Sequence, residues 1–189
     1  MHVRRIFVPF AATAVAALSF VTAGHAASPA GVATPAAARS NVSITADAQL
    51  GGSIFAATNA IRAQHGLPKL RSSRSLSAAA AEHSRDMAVR GYFAHTSANG
   101  TAFWKRIRRH YGQRGYRHWL VGENLLWSSP NVDAGRAMDM WMASPAHREN
   151  ILDRRWRKIG LSAVRVPVAP GAFRGLEVTI VTADFGARA

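Results

Sequence analysis

From Ser53 to about Leu152 the apolar positions recur three and four residues apart, and beyond Lys158 they recur at strand spacing. Ile54, Ala57 and Ile61 fall on one face and predict a helix over Ser53–His65, with Gly66 as its stop. Leu67-Pro-Lys-Leu70 is a rigid connection. Leu76, Ala79, Ala80, His83 and Met87 share the next face, giving a helix over Ser75–Arg90 that Gly91 ends; its alanine run favours helix intrinsically. A shorter helix over Thr101–Tyr111 turns Phe103, Ile107 and Tyr111 inward, and Lys105, Arg106, Arg108 and Arg109 mostly outward. Ser129-Pro130 has the form of an N-cap followed by proline at the first helical position, and starts a helix with Ala134, Ala137, Met138 and Trp141 on one side. A helical turn over Arg148–Leu152 follows Pro145.

Residues 159–166 and 176–183 are rich in β-branched side chains and partly alternate, as strands do. Leu120–Trp127 supplies a third strand, interrupted by Gly122. Helices followed by a few antiparallel strands make an α+β domain, and no internal repeat is visible.

The two ends of the chain differ. Arg4 and Arg5 precede an apolar run from Ile6 to Val21, and Gly24-His-Ala26 has the small residues of a cleavage site. Residues 1–26 therefore read as a secretory signal peptide, the apolar run being shorter than the roughly 20 residues of a spanning helix. Residues 27–51, rich in Ala, Ser, Thr, Pro and Gly, read as a linker, and 52–188 as one domain. No later segment is apolar enough to span a membrane. The expected location is secreted, either extracellular or associated with the cell envelope.

Zero cysteines exclude a disulfide framework and a thiol nucleophile, so an ordinary core must hold the domain. The formal charge is +14, and 22 basic against 10 acidic residues remain once Arg4 and Arg5 are removed. That sign suits anionic envelope polymers or phospholipid headgroups, and export disfavours nucleic acid. The skew to Arg, 21 of 24 basic residues, is also what a GC-rich coding sequence produces. Lys105–His118 concentrates this charge, with Tyr111 and Tyr116 interleaved.

Three residues carry candidate chemistry: His95 on a loop in Gly91-Tyr-Phe-Ala-His-Thr-Ser97, Glu123 in Val121-Gly-Glu-Asn-Leu125, and His147 in Ser144-Pro-Ala-His-Arg-Glu-Asn-Ile-Leu152. Two imidazoles and a carboxylate gathered by a fold make a divalent-metal or proton-transfer site. Alternatively Glu123 only orients an imidazole, and both histidines bind an anion when protonated. His83, on an apolar helix face, is read as a core residue, and His118, beside Trp119, as packing. Asn41-Val-Ser43 matches a glycosylation acceptor, a pattern frequent by chance. There is no Gly-x-Ser-x-Gly elbow, His-Glu-x-x-His helix or phosphate-cradling glycine loop.

His95-Thr-Ser97, Gly122-Glu-Asn-Leu125 and His147-Arg-Glu-Asn-Ile-Leu152 together resemble the CAP superfamily (cysteine-rich secretory proteins, antigen 5, pathogenesis-related 1), in the cysteine-free SCP-like form common in bacteria. The resemblance runs from about Ile54 through Thr182-Ala-Asp-Phe-Gly186. It implies an α-β-α sandwich with a central antiparallel sheet flanked by helices. It also implies a cavity lined by two His and two Glu, here His95, Glu123 and His147. The second Glu, three residues after the helix tryptophan in many eukaryotic members, is replaced by Ser144. Members are associated with lipid or sterol binding, with host or envelope interactions and, in some cases, with proteolysis.

Three readings follow. The first is a secreted ligand-binding module, for a small or lipid-like ligand, whose His/Glu cavity takes zinc or another divalent cation. The second is a metal-assisted hydrolase of peptide or cell-wall substrate, with Glu123 as general base. The third is non-catalytic adhesion to anionic envelope polymers or lipids.

Overall fold

The computed structural model describes residues 42–189. The signal peptide, most of the linker and Asn41 of the acceptor motif lie outside the described residues. Eleven elements follow in order, ten of them regular helices or strands: β1 (Thr45–Ala46), α1 (Ala48–Gln64), β2 (Arg71–Ser72), α2 (Arg74–Arg90), α3 (Phe103–His110), β3 (Trp119–Ser128), α4 (Ala134–Ala143), α5 (Pro145–Leu152), β4 (Lys158–Val166), a 3-10 turn (Gly171–Phe173) and β5 (Val178–Arg188).

The strands form one sheet in the order β1-β4-β5-β3, with β2 added in parallel to β4. The long β4–β5 and β5–β3 pairs are antiparallel. Alternation sends successive residues of each strand to opposite faces. Val181, Ala183 and Phe185 of β5 join Ile54, Met138, Trp141 and Ile151 on the side of α1, α4 and α5. Val178 and Ile180 join Met87 and Ala88 of α2 on the other side, where Leu76, Ile107 and Tyr111 continue the core towards α3. The result is the expected α-β-α sandwich. Among the described residues no helix is long and apolar enough to cross a membrane.

Local signals explain most element ends. Gly66 (φ 65°) follows α1, and Gly91 (φ 65°) ends α2 in the left-handed region open to glycine. Several boundaries differ from expectation, and β5 runs to Arg188, five residues past its expected end. α1 begins at Ala48 instead of Ser53, because the Asp47 carboxylate accepts from the Leu50 amide and starts the helix inside the stretch assigned to the linker. Ser129-Pro130 does not open α4: it is a cis peptide bond before the helix, and Asp133 caps α4 by accepting from the Arg136 amide. Pro145 instead occupies the first turn of α5.

Buried polar staples tie the α1 side together. The Arg62 guanidinium, fully buried, donates to the carbonyls of Pro68, Ile151 and Asp153, and the Asn59 amide exchanges two hydrogen bonds with the Leu70 backbone. β3, at the end of the strand order, has its Glu123 and Leu125 carbonyls bound by Asn150 Nδ2 (3.1 Å) and Trp141 Nε1 (3.0 Å), so side chains stand where a further strand would.

Candidate functional site

Glu123 sits on β3 with its side chain on the α2–α3 side of the sheet, 1% exposed. A carboxylate buried there is tolerated only with compensation. Its Oε1 accepts from His95 Nδ1 at 2.8 Å, and its Oε2 is ion-paired to the Arg106 guanidinium, itself 1% exposed. Burial pushes Glu123 up, but the His95 hydrogen bond and the positive charge of Arg106 outweigh it and hold the acid below its ordinary value.

Arg106 organises the loop as well. Its Nη1 donates to the His95 carbonyl (3.2 Å) and to Ser97 Oγ (3.1 Å). His83 secures the residue before His95. Buried on α2, it contacts the Ala94 carbonyl through Nε2 at 2.8 Å, a geometry that places the proton on Nε2. Burial lowers the His83 pKa, so the imidazole is a neutral strut, in line with its reading as a core residue. His118 is exposed, and its amide donates to the Ala189 carbonyl.

His147 approaches from the other face of the sheet. It lies in the first turns of α5, and Asn124 Nδ2 donates to its carbonyl at 3.0 Å while Asn150 Nδ2 donates to Asn124 Oδ1 at 2.9 Å. Burial lowers its pKa, and the charge of His95 lowers it further. His95 is 44% exposed, and with Nδ1 engaged by Glu123 its Nε2 remains for a ligand.

The metal expectation is overturned. Among the described residues, no group of three or more His, Cys, Asp or Glu side chains is placed to hold a metal ion. Both Glu123 oxygens are committed, and the cation on the carboxylate is the guanidinium of Arg106. His95, Glu123 and His147 therefore do not fit zinc or another divalent cation. The metal-binding cavity falls, and so does the hydrolase with Glu123 as base for a metal-held water. Ser144, which replaces the family's second Glu, stands immediately before α5, and its side chain makes no capping hydrogen bond there.

Two participants escaped the sequence reading. Arg106 was placed outward with its basic neighbours, yet Phe103, Arg106 and Ile107 follow helical spacing, so the inward signal was present. Asp184 stands directly across from Glu123 in the β3–β5 register, fully buried, and neither of its carboxyl oxygens has a hydrogen-bond partner. Two like charges so placed repel. Burial, then the charge of Glu123, pushes Asp184 far above its ordinary value.

A native pKa raised in this way stabilises the fold fully below the unfolded value of about 4, and the contribution is lost as pH rises through the native value. Asp184→Asn, which cannot ionise, is expected to raise the urea midpoint relative to the parent, with a larger gain at pH 8 than at pH 5. A lower midpoint at both pH values would show Asp184 to be an ionised partner instead.

Comparison with known proteins bears on the whole domain. A profile described as CAP, Cysteine-rich secretory protein family, matches residues 55–180. The chain is 31% identical over 108 residues to the Uncharacterized membrane protein YlbC of Bacillus subtilis, and 30% identical over 107 residues to the Uncharacterized protein YkwD of the same organism. Each match covers 57% of this chain but only 30% and 39% of those relatives. An extracellular protein containing a SCP domain from Bacillus anthracis superposes with a TM-score of 0.55 at 26% identity, over 82% of this chain and 44% of that one. An outer surface protein of Borrelia burgdorferi superposes with a TM-score of 0.59 over 78% of this chain and 99% of that one; at 18% identity it shows the fold alone.

Proposed function

The chain belongs to the cysteine-rich secretory protein family, and from that premise we propose that it is an extracellular binding module that takes an anionic group through His95 and His147. The observation that carries this reading is the Arg106 guanidinium on Glu123. It cancels the charged carboxylate beneath His95 and turns a prospective cation site into one that favours anions once His147 is protonated. Glu123 then orients His95, fixing the Nδ1 proton and presenting Nε2.

The surrounding field has the same sign. The described residues carry 21 Lys and Arg against 10 Asp and Glu, a formal +11. Asp47, Glu82, Asp86, Glu123 and Asp153 are already ion-paired within the chain. Anionic headgroups and envelope polymers are therefore drawn to the domain. A glycerol phosphodiester supplies that chemistry whether its source is a lipid headgroup or a polyol-phosphate polymer.

Each proton taken up on binding changes affinity by about tenfold per pH unit. Calorimetric titration of glycerophosphoglycerol, a phosphodiester whose charge is constant in this range, is expected to show affinity rising by about tenfold or more between pH 7.5 and 5.5, with proton uptake visible as a dependence on buffer ionisation enthalpy. His147→Gln should flatten the profile, and His95→Gln should weaken binding. Equal affinity at both pH values in the parent protein would overturn the reading.

A further inference from the structure

On the other side of Arg106 from Glu123, α2 and α3 enclose an open groove of about 340 Å³. One stripe of α2 (Glu82, Arg85, Asp86, Val89, Arg90) forms one wall, with Arg109 opposite and Arg106 in the lining. The residues 82, 85, 86, 89 and 90 recur at helical spacing, so a single face of α2 is presented.

The groove has more positive charge than its own acids use. Glu82 is bound by Arg109 and His110, and Asp86 by Arg90 and the Tyr92 hydroxyl. Arg106 is held by Glu123, but its Nε is buried without an acceptor. Arg85 is exposed and makes no hydrogen bond or ion pair among the described residues. Arginine forks in such a setting match a carboxylate.

The remaining lining sets the rest of the ligand. Val89, 51% exposed, is the one apolar side chain in the groove. Ser97 Oγ accepts from Arg106 and keeps its own proton to donate, while Asn99 Oδ1 accepts from the Thr101 amide and leaves Nδ2 open. Isolated hydroxyl and amide donors beside a small apolar surface suit a ring with hydroxyls and a C–H face. An acidic peptide is served less well: both long walls are helices whose backbone groups are spent internally, so no strand edge is available to it.

We propose that the α2–α3 groove is a subsite for an acidic saccharide, with the sugar carboxylate on Arg85 beside Arg90 and Arg109, the ring over Val89 and hydroxyls on Ser97 and Asn99. The assignment stands apart from the reading at His95 and His147, which do not line this groove.

The test is titration of the full chain with a galacturonic acid tetrasaccharide, beside a neutral galactose tetrasaccharide and tetra-aspartate. Saturable binding of the uronate is expected, with the neutral sugar and the peptide at least about tenfold weaker. Arg85→Glu should weaken uronate binding by about tenfold or more, and Val89→Asp likewise; both side chains are exposed, and unchanged thermal midpoints would confirm folding. Arg136→Glu, an equal charge change on α4 across the sheet, should leave affinity within about twofold. The proposal is overturned if no uronate binds, if tetra-aspartate binds equally well, or if Arg85→Glu and Arg136→Glu act alike, which would mean diffuse attraction.

Discussion

Arg106→Met is expected to cost about 3–5 kcal/mol of unfolding free energy, because it leaves the Glu123 carboxylate buried without its fixed counter-charge. Methionine retains much of the apolar stem, so the loss reports the guanidinium more than packing. The same change releases the His95 carbonyl and Ser97 Oγ, and with them the loop that presents the imidazole. Urea denaturation of the single variant and of Arg106→Met/Glu123→Gln separates the contributions. The double variant should recover most of the loss, since a neutral amide at 123 no longer needs the cation. A single variant with an unshifted midpoint would mean that the His95 hydrogen bond suffices to hold Glu123.

The second large effect is steric. Gly160 lies in β4 where α2 crosses, and a Cβ built there would come within 2.0 Å of the Ser77 amide nitrogen and 2.2 Å of the Leu76 carbonyl carbon. Those are backbone atoms, so relief requires moving α2 off the sheet. Gly160→Ala is expected to destabilise by about 3 kcal/mol or more, at the upper end of overpacking effects. Displacing α2 also shifts His83 and the Ala94 carbonyl it holds, so the site should loosen together with the fold. Gly51→Ala in α1 is the control: nothing lies within 4 Å of its Cβ, and alanine should stabilise the helix by about 0.5–1 kcal/mol. Thermal melts of the two variants should move in opposite directions. A neutral Gly160→Ala would show that the contact relaxes freely.

Much of the architecture was legible in the chain. Ile54 and Leu76 mark buried helix faces, Gly91 marks a helix end, and the β-branched runs after Lys158 mark two long paired strands. Each is a local signal, set by repeat period or by the backbone freedom of one glycine, and local physics suffices to read it. The segments around His95, Glu123 and His147 were equally visible, and their resemblance led to the family to which the chain belongs. Signals spread over fewer residues were weaker: Gly51 and Gly52 hid the first turns of α1, and Ser129-Pro130 imitated a cap that Asp133 supplies.

The character of the site was decided elsewhere. Glu123 receives its cation from a residue 17 positions away and its like-charged neighbour from a strand 61 positions on. A carboxylate in a sequence is equally a metal ligand, a base or half of an ion pair, and only the groups that desolvate and neutralise it choose among these. Residue types and periods, carried by the chain itself, determined an α+β domain and brought the histidines to attention, and the family resemblance of their segments implied the sandwich. The meeting of Arg106, Asp184 and Glu123 on one face of the sheet, which tertiary packing alone creates, put a guanidinium where a metal ion was expected.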